Sequence, residues 1–213
     1  EIQAPRMLTE AQDISSLGWI GCERILIDRS VDPVASSDPD GLVVVDASTG
    51  EVREVPAAAG LITEGENDVV AVSPDGKSFA VIAHQADEPE RHVFVGEFGD
   101  AQAAQMPDLE SRDPMSVAFA ANGDVLVAGA QAEGAAGDVL FRAAPGAPLE
   151  EFGPAVEGVM LQIATSPECD VIVVVERQMM EDEMVFAAVR VDAGSLRSTP
   201  IPNSATYVGL VSG

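Results

Sequence analysis

Few residues in this chain have the type and spacing to do chemistry. The 213 residues hold two histidines, His84 and His92, at the ends of the stretch His84-Gln-Ala-Asp-Glu-Pro-Glu-Arg-His92. Imidazoles with nearby carboxylates are able to hold a divalent ion, but two ordinary histidines bracketing a polar hairpin loop account for the same pattern. A second loop, Ser30-Val-Asp-Pro-Val-Ala-Ser-Ser-Asp-Pro-Asp40, brings Asp32, Asp38 and Asp40 within a short span. Hard carboxylate oxygens suit calcium, although the spacing fits no established calcium loop and Pro33 and Pro39 also read as plain turn residues. The cysteines, Cys22 and Cys169, stand at matching turns where other copies of the turn carry glycine, so each is either a tolerated replacement or an exposed thiol for attachment. The segment Arg177-Gln-Met-Met-Glu-Asp182 places Met179 and Met180 beside Glu181 and Asp182 at a predicted hairpin tip. Adaptable methionines there suit contact with a protein partner, or fold back over the sheet edge.

The chain contains no Gly-x-Ser-x-Gly elbow, no phosphate-binding glycine loop and no paired-cysteine metal or haem motif. No catalytic residue and no bound cofactor are predicted from it, and calcium is the ion that the loop of Asp32, Asp38 and Asp40 suggests. A formal net charge of −25, from 36 acidic against 11 basic residues, repels phosphate backbones and anionic headgroups. Nucleic acid and membrane surfaces are therefore disfavoured as partners, and a basic protein segment is favoured. Apolar runs of about five residues, such as Val171–Val175, fall far short of the ~20 needed to span a bilayer, so membrane insertion is not expected. Lys77 is the single lysine, as suits either a high-salt surface or a GC-rich coding sequence.

Position of these residues depends on a repeat. Gly76, Gly123 and Cys169 each mark an acid-bearing turn, 47 and 46 residues apart, and Cys22 holds the same place before them. A second ladder runs through Gly50, Gly99, Gly146 and Gly194 at spacings of 49, 47 and 48. One supersecondary unit repeated at this period, with several short strands per unit, predicts an all-β propeller or propeller arc. Each turn leads into a dense apolar strand, at Ile25–Ile27, Phe79–Ile82, Val125–Val127 and Val171–Val175. Unbroken apolar character implies burial on both faces, as when each sheet is sandwiched between its neighbours. Glu51-Val-Arg-Glu-Val55 alternates instead and reads as a charged outer edge. Four four-stranded blades are expected at about 13–56, 67–107, 114–153 and 158–201. Lone strands at about 2–8 and 205–211 would be partial blades at both ends of a single domain. The chain then reads as an arc of a ring, cut from a larger propeller or completed by another chain.

Ser73-Pro74-Asp75-Gly76-Lys77 and Leu42-Val-Val-Val-Asp-Ala-Ser-Thr-Gly-Glu51 resemble the repeat of TolB-type, WD-repeat-like bacterial propellers, and Arg6-Met7-Leu8-Thr9 resembles the ends of their fourth strands. Only the second repeat keeps the full Ser-Pro-Asp-Gly-Lys string. The resemblance implies periplasmic or extracellular binding platforms, accessory domains of prolyl-oligopeptidase-like hydrolases, or propeller subunits of periplasmic dehydrogenases. The leading expectation is a non-enzymatic protein-binding or scaffold propeller, a subunit of a larger assembly. The alternative is an accessory propeller of a larger enzyme. Connections on one expected face (9–12, 30–40, 57–66, 84–90, 108–113, 131–136, 154–157, 177–182 and 202–204) hold 16 of the 36 acids, with Arg112 and Arg177 their only Lys or Arg. That face is expected to be anionic.

Overall fold

The computed structural model describes residues 13–30, 41–63, 70–85, 88–107, 113–130, 138–144, 146–152, 159–166, 169–180, 183–192 and 197–201. The predicted lone strands at 2–8 and 205–211 lie outside them. Within these residues the chain forms four antiparallel sheets. The first is β1 (Asp13–Ile20), β2 (Arg24–Ser30), β3 (Gly41–Asp46) and β4 (Val52–Glu54), paired in chain order. After a short 3-10 turn, Pro56–Ala58, the second sheet holds β5 (Leu61–Ile62), β6 (Val70–Val72), β7 (Ser78–Gln85), β8 (Glu88–Glu97) and β9 (Ala104–Gln105). The third is β10 (Asp113–Phe119), β11 (Val125–Ala130), β12 (Val139–Ala143) and β13 (Glu150–Glu151). The fourth is β14 (Val159–Ser166), β15 (Cys169–Met180), β16 (Glu183–Asp192) and β17 (Arg197–Ile201).

The second sheet contains a feature absent from the periodic reading. Both β5 and β6 pair with β7, β6 along Phe79–Val81 and β5 along His84–Gln85. The first-strand position is thus filled by two pieces, and segment 57–66, read as a connection, contains β5. A two-residue strand has too little pattern to distinguish it from a loop, even with Gly60 before it.

Turns explain where strands begin. Gly76 has φ 69° and Gly123 φ 88°, the left-handed region in which a side chain is strained. Gly76 N–H donates to the Ser73 carbonyl, and Gly123 N–H donates to that of Ala120, closing each turn. In the first repeat the positive φ falls on Gly21 (63°), with Ile20 paired to Arg24 across a three-residue loop. Cys22 therefore does not take the role of the repeat's glycine. Cys169 does not either, because it already belongs to β15 and pairs with Ser166.

Burial divides the strands by face. Val125 and Val127 join a cluster with Phe79, Val81 and Val93 of the second sheet, whereas Leu126 and Ala128 join Ile163 of the fourth. Successive residues of β11 thus bury in opposite directions, against the sheets before and after it, as the continuous apolar runs predict. Leu26 likewise points into the large cluster and Ile27 into a smaller one with Val43 and Val45. Phe79, fully buried and tilted against Phe98 at 5.4 Å between ring centroids, anchors the middle of the second sheet.

First strands of successive sheets lie side by side, β1 against β6, β6 against β10 and β10 against β14. Gly18 lets β1 come close. A Cβ there would sit 2.9 Å from Val72 Cγ2. Between the third and fourth sheets, Ile163 N–H donates to the fully buried Ser116 Oγ (3.1 Å) and Thr165 Oγ1 donates to the Phe119 carbonyl (2.7 Å). The partners are 47 and 46 residues apart, one repeat, so equivalent strands are stitched directly together.

Candidate functional site

Asp32, Asp38, Asp40, Glu181 and Asp182 lie outside the described residues. Met179 and Met180 end β15, their backbones paired with Met184 and Glu183. Met179 and Met180 thus stand at the end of the β15–β16 pairing, and residues 177–180 of segment 177–182 are strand rather than loop. The same shortening affects His84 and His92, since β7 reaches Gln85 and β8 begins at Glu88. Only residues 86 and 87 separate the strands. His84 Nδ1 lies 3.0 Å from the Gln85 carbonyl, and the His92 ring meets Phe94 edge-on. Among the described residues no three of His, Cys, Asp or Glu converge to hold a metal ion.

Among the described residues, paired charge occurs at sheet junctions and turns. Arg91 on β8 donates to both oxygens of Asp113 on β10, through Nε at 3.0 Å and through a terminal nitrogen, and so joins the second sheet to the third. Asp113, one of the acids counted on the expected anionic face, is paired with Arg91. Asp46, at the end of β3, accepts from Ser48 N–H (2.9 Å), Ser48 Oγ (2.6 Å) and Thr49 N–H (2.8 Å) at one oxygen. These donors hold its carboxyl well below the usual carboxylate range, in an Asx-type turn of the kind its Asp-Ala-Ser-Thr-Gly context predicts. Asp75 is similarly lowered by the Ser73 hydroxyl (2.7 Å) and then by Lys77 N–H (3.1 Å).

A cleft of about 220 Å³ opens beside the Asp46 turn, between the first sheet and Phe98 of the second. Val44, Val55 and Phe98 supply its apolar lining, and Arg24, Asp46, Glu51, Arg53 and Glu54 its charged lining. Arg53 forks onto Glu51 through two 2.9 Å bonds, which lower the Glu51 carboxyl and raise the guanidinium. Such a space fits one side chain of a partner, below the 300–1,000 Å³ of small-molecule pockets. The sequence gives no sign of this cleft, because Arg24, Arg53 and Phe98 meet only through packing of two sheets. Buried Asp28, Arg29 and Asp138 were also missed. Each has electrostatic or hydrogen-bonding contacts within the protein. Cys22 is an exposed free thiol.

No family model and no curated protein sequence matches the chain. Solved structures do. TolB from Acinetobacter baumannii superposes with a TM-score of 0.62 at 16% identity, over 88% of this chain and 43% of that one. The fold is TolB-like. Hydrazine synthase from Kuenenia stuttgartiensis gives 0.59 at 17% identity, over 94% and 53% of the respective chains. A prolyl endopeptidase gives 0.51 at 14% identity, over 94% and 30%. This chain therefore spans about half, or less, of the proteins it resembles. The likeness is one of β-propeller architecture, and a fold of this kind carries many activities. Among the described residues no helix is long and apolar enough to cross a membrane.

Proposed function

We propose that this chain is a non-enzymatic protein-binding propeller, built of four four-stranded blades with partial blades at its ends, that serves as a subunit of a larger periplasmic or extracellular assembly. The observation that carries this reading is the direct stitching of one sheet to the next, through Ser116 to Ile163 and Thr165 to Phe119. Sheets locked in this way form a rigid framework, and preorganised surfaces bind with a smaller ordering cost. A charge of −25 steers basic partners toward the platform. Met179, Met180, Glu181 and Asp182 form the proposed contact, with the methionines adapting to the partner and the carboxylates meeting its basic groups.

The test is a titration of the whole chain with a lysine-rich peptide and with its glutamate-rich counterpart, in wild type and in the Glu181→Lys, Asp182→Lys double variant. Selective binding of the basic peptide, weakened about tenfold in the variant, as loss of two charge contacts implies, would support the reading. Equal affinity in both proteins would remove this hairpin from it. Calcium at Asp32, Asp38 and Asp40 is a subsidiary proposal. Millimolar calcium should then raise the melting temperature, and an unchanged melting temperature would count against it.

The second reading, an accessory propeller of a larger hydrolase, is supported by coverage of only 30% of the prolyl endopeptidase chain. An intact polypeptide from the native source much heavier than 22.1 kDa would favour it.

A further inference from the structure

Asn122-Gly123 is the only Asn-Gly pair in the chain, since Asn67 precedes Asp68 and Asn203 precedes Ser204. It lies in the turn between β10 and β11, where Asn122 is exposed and Gly123 holds φ 88°. A side-chain amide next to a glycine nitrogen has an intramolecular reaction open to it, because no Cβ on the following residue hinders approach of that nitrogen to Cγ. The corresponding turn of the second repeat carries Asp75-Gly76. One backbone arrangement thus presents an acid in one repeat and an amide in the next.

The two turns share their closing bonds. Gly76 N–H donates to the Ser73 carbonyl at 2.8 Å, and Gly123 N–H to that of Ala120 at 2.9 Å. Asp75 accepts from Lys77 N–H at 3.1 Å, and Asn122 Oδ1 accepts from Asp124 N–H at 3.2 Å. Their surroundings differ in charge. The Ser73 hydroxyl donates to Asp75 at 2.7 Å and the Lys77 ammonium lies 3.4 Å away, so that carboxyl is held ionised. An ionised carboxylate is a poor electrophile, and Gly76 has little to attack. In the third repeat Ala120, with no hydroxyl, takes the place of Ser73, and Asp124 takes that of Lys77. Asn122 is a neutral amide there, and its Nδ2 donates to the Asp124 carboxylate at 2.9 Å. This setting suits an amide and opposes an acid.

We propose that Asn122 is a self-modification site, converted through attack by Gly123 to aspartate and isoaspartate when this turn opens. Once hydroxide has taken its proton, the Gly123 nitrogen bonds to Asn122 Cγ. The Cγ–Nδ2 bond then breaks, and Nδ2 leaves as ammonia with a proton from water. Water adds to one carbonyl of the resulting succinimide to give aspartate, or to the other to give isoaspartate. Nothing but water is consumed. In the closed turn the glycine proton is held by Ala120 and the amide oxygen by Asp124 N–H, so the reaction waits on opening. Local opening at an exposed tip costs far less than unfolding the sheet. Either product alters the tip. Aspartate sets a second carboxylate against Asp124, which Arg142 of β12 already meets at 3.6 Å. Isoaspartate adds a methylene to the main chain between Ala120 and Gly123, just where Phe119 and Val125 begin the β10–β11 pairing. The extent of reaction thus records the age of the molecule. This inference goes beyond partner binding and does not involve the Met179 hairpin.

The test incubates the whole chain, folded and unfolded in guanidinium, at neutral and mildly alkaline pH, and maps its peptides by mass spectrometry with isoaspartate resolved from aspartate. Product should appear first at Asn122, ahead of Asn67, Asn203 and Asp75, and faster at the higher pH. It should form about tenfold faster in the unfolded chain than in the folded one, as release of the two closing hydrogen bonds implies. Asn122→Gln should give no product at this position while keeping the wild-type strand signal in circular dichroism. Asn122→Asp, the aspartate product made directly, should melt below wild type. An Asn122 that stays intact in the folded chain while the unfolded chain reacts would overturn the proposal. So would equal rates in the two states, or isoaspartate forming at Asp75 as fast as at Asn122. An Asn122→Asp protein that melts at or above wild type would show that the turn accepts the acid, against the proposal.

Discussion

At the residue scale, the ordered carboxylates serve turns and ion pairs. Asp46 and Asp75 are held ionised by hydroxyl and backbone donors, and Glu51 by Arg53. All three have folded pKa values below their reference values of 3.8, 3.8 and 4.5. A carboxyl depressed by folding adds stability above its unfolded pKa and loses that contribution as pH falls through the folded value. Melting temperature should therefore hold near neutral pH and decline below about pH 4. Asp46→Asn should flatten part of that decline, since Asn keeps an acceptor for Ser48 and Thr49 but has no proton to gain. A melting curve series from pH 7 to 2.5 checks both, and an unaltered slope in Asp46→Asn would mean that the turn contributes nothing to acid sensitivity.

At the element scale, stability depends on sheet-to-sheet contact. Phe79→Ala empties a fully buried site between β8 and Phe98, and cavity formation on this scale costs about 3–5 kcal/mol. Ser116→Ala leaves the buried Ile163 N–H without its 3.1 Å acceptor, at about 1–3 kcal/mol. Gly18→Val pushes side-chain carbon into Val72, and overpacking of this kind costs about 1–3 kcal/mol. Urea denaturation of the three variants would rank them. A neutral Ser116→Ala would show that the cross-sheet bond is replaced, for instance by water. The repeat made these strands legible, because unbroken apolar runs require two buried faces. It did not reveal β5, whose two residues carry no periodicity.

At the scale of the whole molecule, charge opposes compaction. With 36 acidic residues and a net charge of −25, self-repulsion destabilises the folded state at low ionic strength. Raising salt from about 0.02 M to about 0.5 M, which shortens the screening length from about 20 Å to a few ångströms, should raise the melting temperature. A falling melting temperature would instead mean that attractive pairs such as Arg91–Asp113 dominate. An acidic surface suits the proposed docking role, and the Met179 hairpin is its proposed contact region.

The sequence by itself determined the all-β architecture, the repeat and the turns at Gly76 and Gly123, because these rest on local rules of side-chain period and backbone freedom. It also determined the sign of the surface field, which depends on composition alone. Only the tertiary structure decided which residues meet between sheets. The Arg91–Asp113 pair, the Ser116–Ile163 bond and the cleft joining Arg53 to Phe98 link residues at least 22 positions apart. Their contact depends on how one sheet is set against the next. A strand's alternation tells which residues share a face, but a face is buried or bare according to what packs on it.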